Sequence, residues 1–358
     1  MLQKNGLGWA MTKTHDAVMP LPASEGFGMP AEWDAHTRTW MCWPSRLEAF
    51  GNQERFLRAK QAYARVARAI AAFEPVSMVA CAEDAAEAKL ATGGKAEIVD
   101  MAIDDSWARD TGPTFLKDGK GRLAGVKWRF NAWGEKYHPY TNDAALAGRI
   151  LTRQNVQAYE APLTCEGGAL HSNGHRTILT TEQCLLNPNR NPDLSRSEIE
   201  ACLRDYLGAQ KIIWLGGVFS DDETDGHIDN IACFIAHARV LVGIPPKDHL
   251  DWEPVQGALR VLRAAHVQNG DRIEIVELPQ PAKTRNAWTG KLMAASYVNF
   301  YLAKGAVIMP AFDDAHDEEA RSILTDCFPD RDIMQIDALD IVEGGGGIHC
   351  ITQQEPLP

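Results

Sequence analysis

The feature that most limits what this chain can fold into is an order of elements that recurs along its length. A β-hairpin that opens on polar residues is followed by a helix and then by a single strand. The first hairpin runs from Asp104–Leu116 through the turn Lys117-Asp118-Gly119-Lys120-Gly121 into Leu123–Phe130, and a helix over Asp143–Gln154 follows. The second runs from Glu166–Ser172 through Asn173-Gly174 into Arg176–Thr181, Asn-Gly being among the stronger short-range hairpin signals. Its helix opens on a Ser195/Glu198 capping box, stops at Gly208 and leads to a strand over Lys211–Leu215. A third hairpin (His227–Ile235, Arg239–Ile244) leads to a helix from Val255 to Val267 and a strand over Ile273–Leu278. A fourth (Ser296–Leu302, Ala306–Met309) leads to a helix over Asp317–Phe328 and a strand over Ile333–Ile336.

A fifth unit is split between the two ends of the chain. At the C-terminus a four-glycine run, Gly344–Gly347, precedes a predicted strand over Ile348–Gln353. At the N-terminus a predicted strand over Thr37–Trp43, stopped by Pro44, has no hairpin partner. It is followed by an amphipathic helix over Gln53–Phe73 with Phe56, Tyr63, Val66, Ile70 and Phe73 at helical spacing. Strands over Val76–Cys81 and Glu97–Val99 flank a short helix over Asp84–Ala91. The hairpin starts fall at Asp110, Glu166, His227, Tyr297 and Cys350, and this spacing predicts an α/β fold of five ββαβ units, a pseudo-symmetric five-bladed propeller. The alternative is an open α/β sheet. In a closed ring the starts of all hairpins meet at one centre. Residues 1–28 read as an irregular arm and 29–358 as a single domain.

Composition narrows the function. The chain has 358 residues, and a net charge of −12 with no basic stripe argues against nucleic-acid binding. No apolar run is long enough to span a bilayer, and the first residues carry no secretory signal pattern, so no membrane partner is expected. Eight scattered cysteines without a CxxC pair read as reduced thiols of a cytoplasmic protein. A homo-oligomer is compatible with the sequence.

The residues that the ring would gather carry a coherent chemistry. Cys350, after a flexible glycine run, is a candidate nucleophile, with His227 as its acid and base. Two carboxylates, Asp110 and Asp229, beside a thiolate disfavour it unless the substrate is a cation. A planar guanidinium fits, because each carboxylate can bind it through two N–H groups. Trp107 is placed to lie over its face. The reaction these groups define is attack of the Cys350 sulfur on the guanidinium carbon, loss of ammonia and hydrolysis of the thiouronium intermediate. It needs no cofactor and no metal. Other readings of the same stretches are His227-x-Asp229 as metal ligands, His171-x-x-x-His175 as a zincin-like pair broken by its Asn-Gly turn, the glycine run as a phosphate cradle, and Cys165 as the nucleophile. Trp107 could equally be a core residue.

The chain resembles the agmatine deiminases of the guanidine-modifying pentein superfamily. The stretches that carry the resemblance are Met29-Pro30-Ala31-Glu32-Trp33, Ser106–Pro113, Phe130-Asn131-Ala132-Trp133, Glu166-Gly167-Gly168, Leu186–Pro192, Thr224–Asn230, Ala295–Tyr301 and Gly344–Gln354. The resemblance implies the five-bladed propeller and hydrolysis of agmatine to N-carbamoylputrescine and ammonia. It implies Cys350 as nucleophile, His227 as acid and base, Asp110 and Asp229 as guanidinium ligands, Trp107 beside the substrate, and Glu166 as support for His227. Gly347 stands where the family pattern has Asn. The acidic loop Asp221-Asp222-Glu223 suits the distal ammonium of agmatine, with Asp222 and Glu223 as its expected ligands. The alternatives are a peptidylarginine deiminase acting on C-terminal arginine, and a non-catalytic polyamine-binding protein in which Cys350 is structural.

Overall fold

The computed structural model describes residues 20–217, 220, 222–282, 290 and 293–358. Five small sheets repeat one topology, an antiparallel hairpin whose second strand is joined through a helix to a parallel third strand. Unit 1 is β4 (Thr114–Lys117), β5 (Leu123–Arg129), a helix over Thr141–Gln154 and β6 (Gln157–Thr164). Unit 2 is β7 (His171–Ser172), β8 (Thr177–Thr181), a helix over Arg196–Leu207 and β9 (Lys211–Leu215). Unit 3 is β10 (Ala232–Ala236), β11 (Arg239–Ile244), a helix over Trp252–Ala264 and β12 (Glu274–Pro279). Unit 4 is β13 (Tyr301–Ala303), β14 (Ala306–Ala311), a helix over Asp317–Cys327 and β15 (Asp332–Asp337).

Unit 5 is assembled from both ends of the chain. β16 (Thr352–Pro356) pairs antiparallel with β1 (His36–Cys42), with Trp40 opposite Gln353 and Met41 opposite Thr352. A helix over Gln53–Ile70 then leads to β2 (Val76–Ala80), parallel to β1, and β3 (Glu97–Asp100) extends the sheet. In chain order the five helices are α1 (Gln53–Ile70), α2 (Thr141–Gln154), α3 (Arg196–Leu207), α4 (Trp252–Ala264) and α5 (Asp317–Cys327).

Each unit packs against the next. α3 touches β6, β10 touches β7, α5 touches β12, α1 touches β14, and β16 touches β4, which closes the ring. The burial pattern gives its orientation. First strands such as β13 and β16 are buried throughout, whereas the third strands β12 and β15 are largely accessible. The first strands therefore line the centre and the last strand of each sheet lies toward the rim, in unit 5 β3 outside the buried β2. β16 is a polar strand, Thr-Gln-Gln-Glu-Pro, and is buried because it stands at that centre.

Local chemistry sets the helices. Asn52 caps α1 by accepting the Arg55 N–H, and the Ser195/Glu198 capping box opens α3. Gly208 ends α3 in the left-handed conformation at φ 66°, where a Cβ would lie 2.7 Å from the Phe27 carbonyl oxygen.

Four details differ from the sequence-based expectation. β6 was not predicted: its Tyr159, Ala161 and Leu163 alternate inward, but Glu160 and Pro162 hide the strand pattern. Cys350 lies in a turn two residues before β16 and not within the strand. Another short helix, Leu339–Val342, leads into the glycine run. Residues 20–28, expected as the end of an irregular arm, are tied down: Phe27 is buried, and Gly28 exchanges backbone hydrogen bonds of 2.9 Å with Lys117.

Candidate active site

The turns that open the units converge at the centre of the ring. Asp110 sits on the single helical turn Ala108–Thr111, Glu166 just before a short 3-10 turn over Gly167–Ala169, and His227 and Asp229 around another over Ile228–Asn230. Each turn leads into the first strand of a unit. The strand supplies rigidity, and the turns let polar side chains of different units meet beside Gly168. Cys350 enters from the fifth unit.

Gly168 marks the meeting point. A Cβ there would lie 2.5 Å from His227 Nδ1 and 3.0 Å from both Asp110 Oδ1 and Asp229 Oδ2. Only a residue without a side chain admits three charged groups this close. The Gly168 N–H donates to Asp110 Oδ1 at 3.0 Å, and the Trp133 indole donates to Asp110 Oδ2 at 2.9 Å. His227 is fully buried, with Nε2 3.4 Å from Glu166 Oε2 and Nδ1 3.7 Å from Asp110 Oδ1. Glu166 is held by Arg190, whose Nε donates to Oε1 at 2.7 Å, and Arg190 in turn binds Asp225 at 2.9 Å.

The Cys350 thiol lies 3.6 Å from Asp229 Oδ2 and accepts from Asn299 Nδ2 at 3.2 Å. Asn299 Oδ1 accepts the backbone N–H of His349 at 2.9 Å, which fixes the turn that carries the thiol. The side chain of Asn299 occupies the space beside Gly347, where a Cβ would meet its Oδ1 at 2.3 Å. This explains why a glycine is accommodated there. His349 Nδ1 lies 2.8 Å from the same Oδ2 of Asp229, and its Nε2 lies 2.9 and 3.0 Å from the two oxygens of Glu32.

The electrostatics follow from burial and these contacts. Burial, reinforced by Asp229 and Asp110, pushes the Cys350 thiol well above the usual cysteine range. Burial works to lower the His227 value, but Asp110, Cys184 and Glu166 outweigh it and hold the imidazole protonated. Burial opposes ionisation of Asp229, but the hydrogen bond and charge of His349 keep it below the ordinary carboxylate range. Asp110 is pushed up, by burial first and then by the neighbouring carboxylates against the pull of His227. The site is therefore a neutral thiol, an imidazolium and converging carboxylates, an arrangement completed by a cationic ligand.

A cleft leads to this cluster. Trp107, Trp133, Tyr137, Glu223, Gly345 and Cys350 line it, together with Asp105, Asp110 and Thr224. Trp107 packs against Gly346, where a Cβ would lie 2.6 Å from its ring. Glu223 faces the cleft and accepts from the Tyr137 hydroxyl. Asp222 does not line the cleft: its oxygens accept from Thr224 N, Thr224 Oγ1 and Gly226 N and shape the loop. Asp221 lies outside the described residues.

The structure separates the competing readings. Cys165 is buried and donates to the Glu166 carbonyl, away from the cleft. His171 turns toward Glu32, while His175 packs edge-on against His237, so the two share no ligand point. Among the described residues, one set of groups converges closely enough for a metal ion, namely Glu166, Cys184 and His227. The Arg190 guanidinium on Glu166 already supplies a cation there. Sequence reasoning did not assign roles to Glu32, Trp133, Arg190, Asn299 or His349, although each lies in a stretch that carries the family resemblance.

A five-bladed ββαβ ring with a cysteine, a histidine and paired carboxylates at its centre defines the guanidine-modifying penteins. The chain belongs to the Porphyromonas-type peptidyl-arginine deiminase family, whose model matches residues 28–356. It is 45% identical over 339 residues to a putative agmatine deiminase of Legionella pneumophila, covering 94% of this chain and 96% of that one. It is 42% identical over 361 residues to an agmatine deiminase of Pseudomonas aeruginosa, covering 94% and 97%. The solved agmatine deiminase of Enterococcus faecalis superposes with a TM-score of 0.91 at 33% identity, covering 95% of this chain and 98% of that one.

Proposed function

We propose that this chain hydrolyses agmatine to N-carbamoylputrescine and ammonia and so serves polyamine synthesis. The observation that carries the reading is the convergence of Asp110, Asp229 and His227 over Gly168, with the Cys350 thiol against Asp229. A guanidinium bound between the two carboxylates brings positive charge next to a thiol that its own surroundings keep neutral, and so favours the thiolate. The thiol proton passes to solvent as the cation binds, and the thiolate sulfur attacks the guanidinium carbon. His227 already carries the proton that the departing ammonia takes, and Glu166 with Arg190 fixes its ring. The neutral imidazole that results takes a proton from the incoming water. The water oxygen displaces the thiolate, its second proton passes to solvent and is taken up by the free ammonia, and a ureido group is left. Trp107 covers the guanidinium face.

The far end of the cleft decides between substrates. Its described lining contains the acids Glu223 and Asp105 and neither Lys nor Arg. A distal ammonium is favoured there, whereas free arginine and C-terminal arginyl peptides present a carboxylate that would face these acids, the nearby Arg46 and Lys136 being engaged by Asp105 and by the Glu223 carbonyl and Asp225. Glu223 is the residue proposed to hold the ammonium. All eight cysteines are free thiols, which supports a reducing, cytosolic setting.

The test is ammonia release from agmatine, arginine and a C-terminal arginyl peptide measured side by side. Agmatine is expected to be preferred by at least about a hundredfold in kcat/KM, the scale of a lost or clashing charge contact. Cys350→Ser is expected to bind agmatine without turnover. Turnover retained in that variant overturns the mechanism, preference for the peptide shifts the assignment to a peptidylarginine deiminase, and binding without turnover by the unaltered chain points to a polyamine-binding protein.

A further inference from the structure

His349 precedes the nucleophile, is 2% exposed, and has both ring nitrogens against carboxylates. Neither carboxylate offers it a proton while ionised, so both nitrogens donate and the ring is a cation. The other charged or titratable groups around it are few. Arg109 lies 3.3 Å from Glu32 and donates through Nε to the His349 carbonyl at 3.4 Å. His171 stacks at 6.5 Å on the His349 ring and lies 3.6 Å from Glu32. The Cys350 thiol lies 3.6 Å from the same Asp229 oxygen that His349 engages.

This arrangement leaves Asp229 with one oxygen engaged and the other, Oδ1, buried without a hydrogen-bond partner among the described residues. An acceptor left so is costly unless a ligand meets it. Without His349, Asp229 would lose the cation that hydrogen-bonds it and keep only the charges of His227 and Arg109 to offset burial, the thiol and a second carboxylate, Asp110. It would then take up a proton and become a poor guanidinium ligand.

We propose that His349 is a positioning residue. Clamped as an imidazolium by Glu32, it keeps Asp229 ionised and turned so that Oδ1 meets the guanidinium of the substrate. This rests on the reading of Asp229 as a guanidinium ligand. The directions of the acidities agree with the geometry. Burial and Arg109 work to lower the His349 value, and Glu32 and Asp229 raise it above the ordinary histidine range. Burial opposes ionisation of Glu32, yet His349, Arg109 and His171 hold it well below the usual range.

The test follows agmatine binding to the Cys350→Ser protein by calorimetry, and kcat/KM with and without substitution at His349, across about pH 3 to 9, a range that takes in the carboxylate titration. His349→Ala raises the pH midpoint of binding by roughly 1–3 units, the effect of removing an adjacent cation from a carboxylate. At pH 5 it lowers kcat/KM by up to roughly tenfold, and at pH 7 by much less, because most of Asp229 is ionised again there. His349→Asn, whose Nδ2 takes the place of the ring Nδ1 without its charge, restores part of the midpoint, whereas His349→Gln, which reaches toward Glu32 instead, does not. Glu32→Gln moves the midpoint the same way by a smaller amount. An unmoved midpoint in His349→Ala, or equal behaviour of the Asn and Gln variants, overturns the proposal. If His349→Ala does not fold, the Asn and Gln pair carries the comparison. Failure of Cys350→Ser to bind agmatine, together with no turnover by the unaltered chain, overturns the functional reading and this proposal with it.

Discussion

The reactive residues were legible because their chemistry is rare and directional. Cysteine after a flexible run, histidine, and carboxylates at hairpin starts form a limited set, and their roles follow from type. Their partners were less so. Asn299, Glu32, Arg190 and Trp133 are ordinary polar or aromatic residues until the fold brings them within 2.7–3.2 Å of the site, Arg190 and Trp133 from loops of the same units and Asn299 and Glu32 from elsewhere in the chain. Asp222 shows the converse: an acidic loop residue looks like a cation ligand in sequence, yet its carboxylate is consumed by its own loop. The electrostatics of Cys350 make a prediction at this scale. Because its thiol is pushed up, the thiolate is the minor form at neutral pH in the free enzyme. Inactivation by neutral iodoacetamide should rise about tenfold per pH unit from neutrality upward, since the thiolate is the nucleophile. A cationic haloacetamidine should react faster than iodoacetamide at pH 7, because it brings its own charge to the carboxylates. A flat profile for iodoacetamide would show that the thiol is already ionised without ligand.

Elements were legible where periodicity and caps agree. α1 begins at the predicted residue, and α3 lies between its capping box and Gly208 as read from the sequence. The missing strand β6 and the late start of β16 have one cause, which is that their residues are selected for position in the ring and not for strand propensity. β16 is polar and buried at the centre, and β6 carries a proline near the rim. The cap of α3 is far from the chemistry, and this yields a separable prediction. Ser195→Ala should cost about 1 kcal/mol, in the range measured for N-cap serine replacements. The melting temperature should fall by a few degrees while kcat and KM for agmatine stay unchanged. A change in kcat would show that α3 is coupled to the site.

At the scale of the molecule, the ends of the chain are joined. β16 pairs with β1, and the Trp40 indole donates to Glu355 at 2.8 Å. Removing Gln353–Pro358 leaves Cys350 in the chain but takes away most of β16. The buried face of β1 and the ring closure go with it, and the melting temperature should fall by about 10 °C or more, as loss of several kcal/mol requires in a domain of this size. A truncated protein that melts like the full chain would show that closure is not what holds the site. The recurring element order, the types of the central residues and the preference for a cationic ligand were determined by the sequence by itself, because local hydrogen bonding, side-chain periodicity and charge act over short stretches. Which carboxylate faces the cleft, which histidine meets Glu166 and which meets Glu32, and how Gly347 is accommodated were decided only by the tertiary structure. These are contacts between residues from 50 to 317 positions apart, and no local rule carries information across the ring.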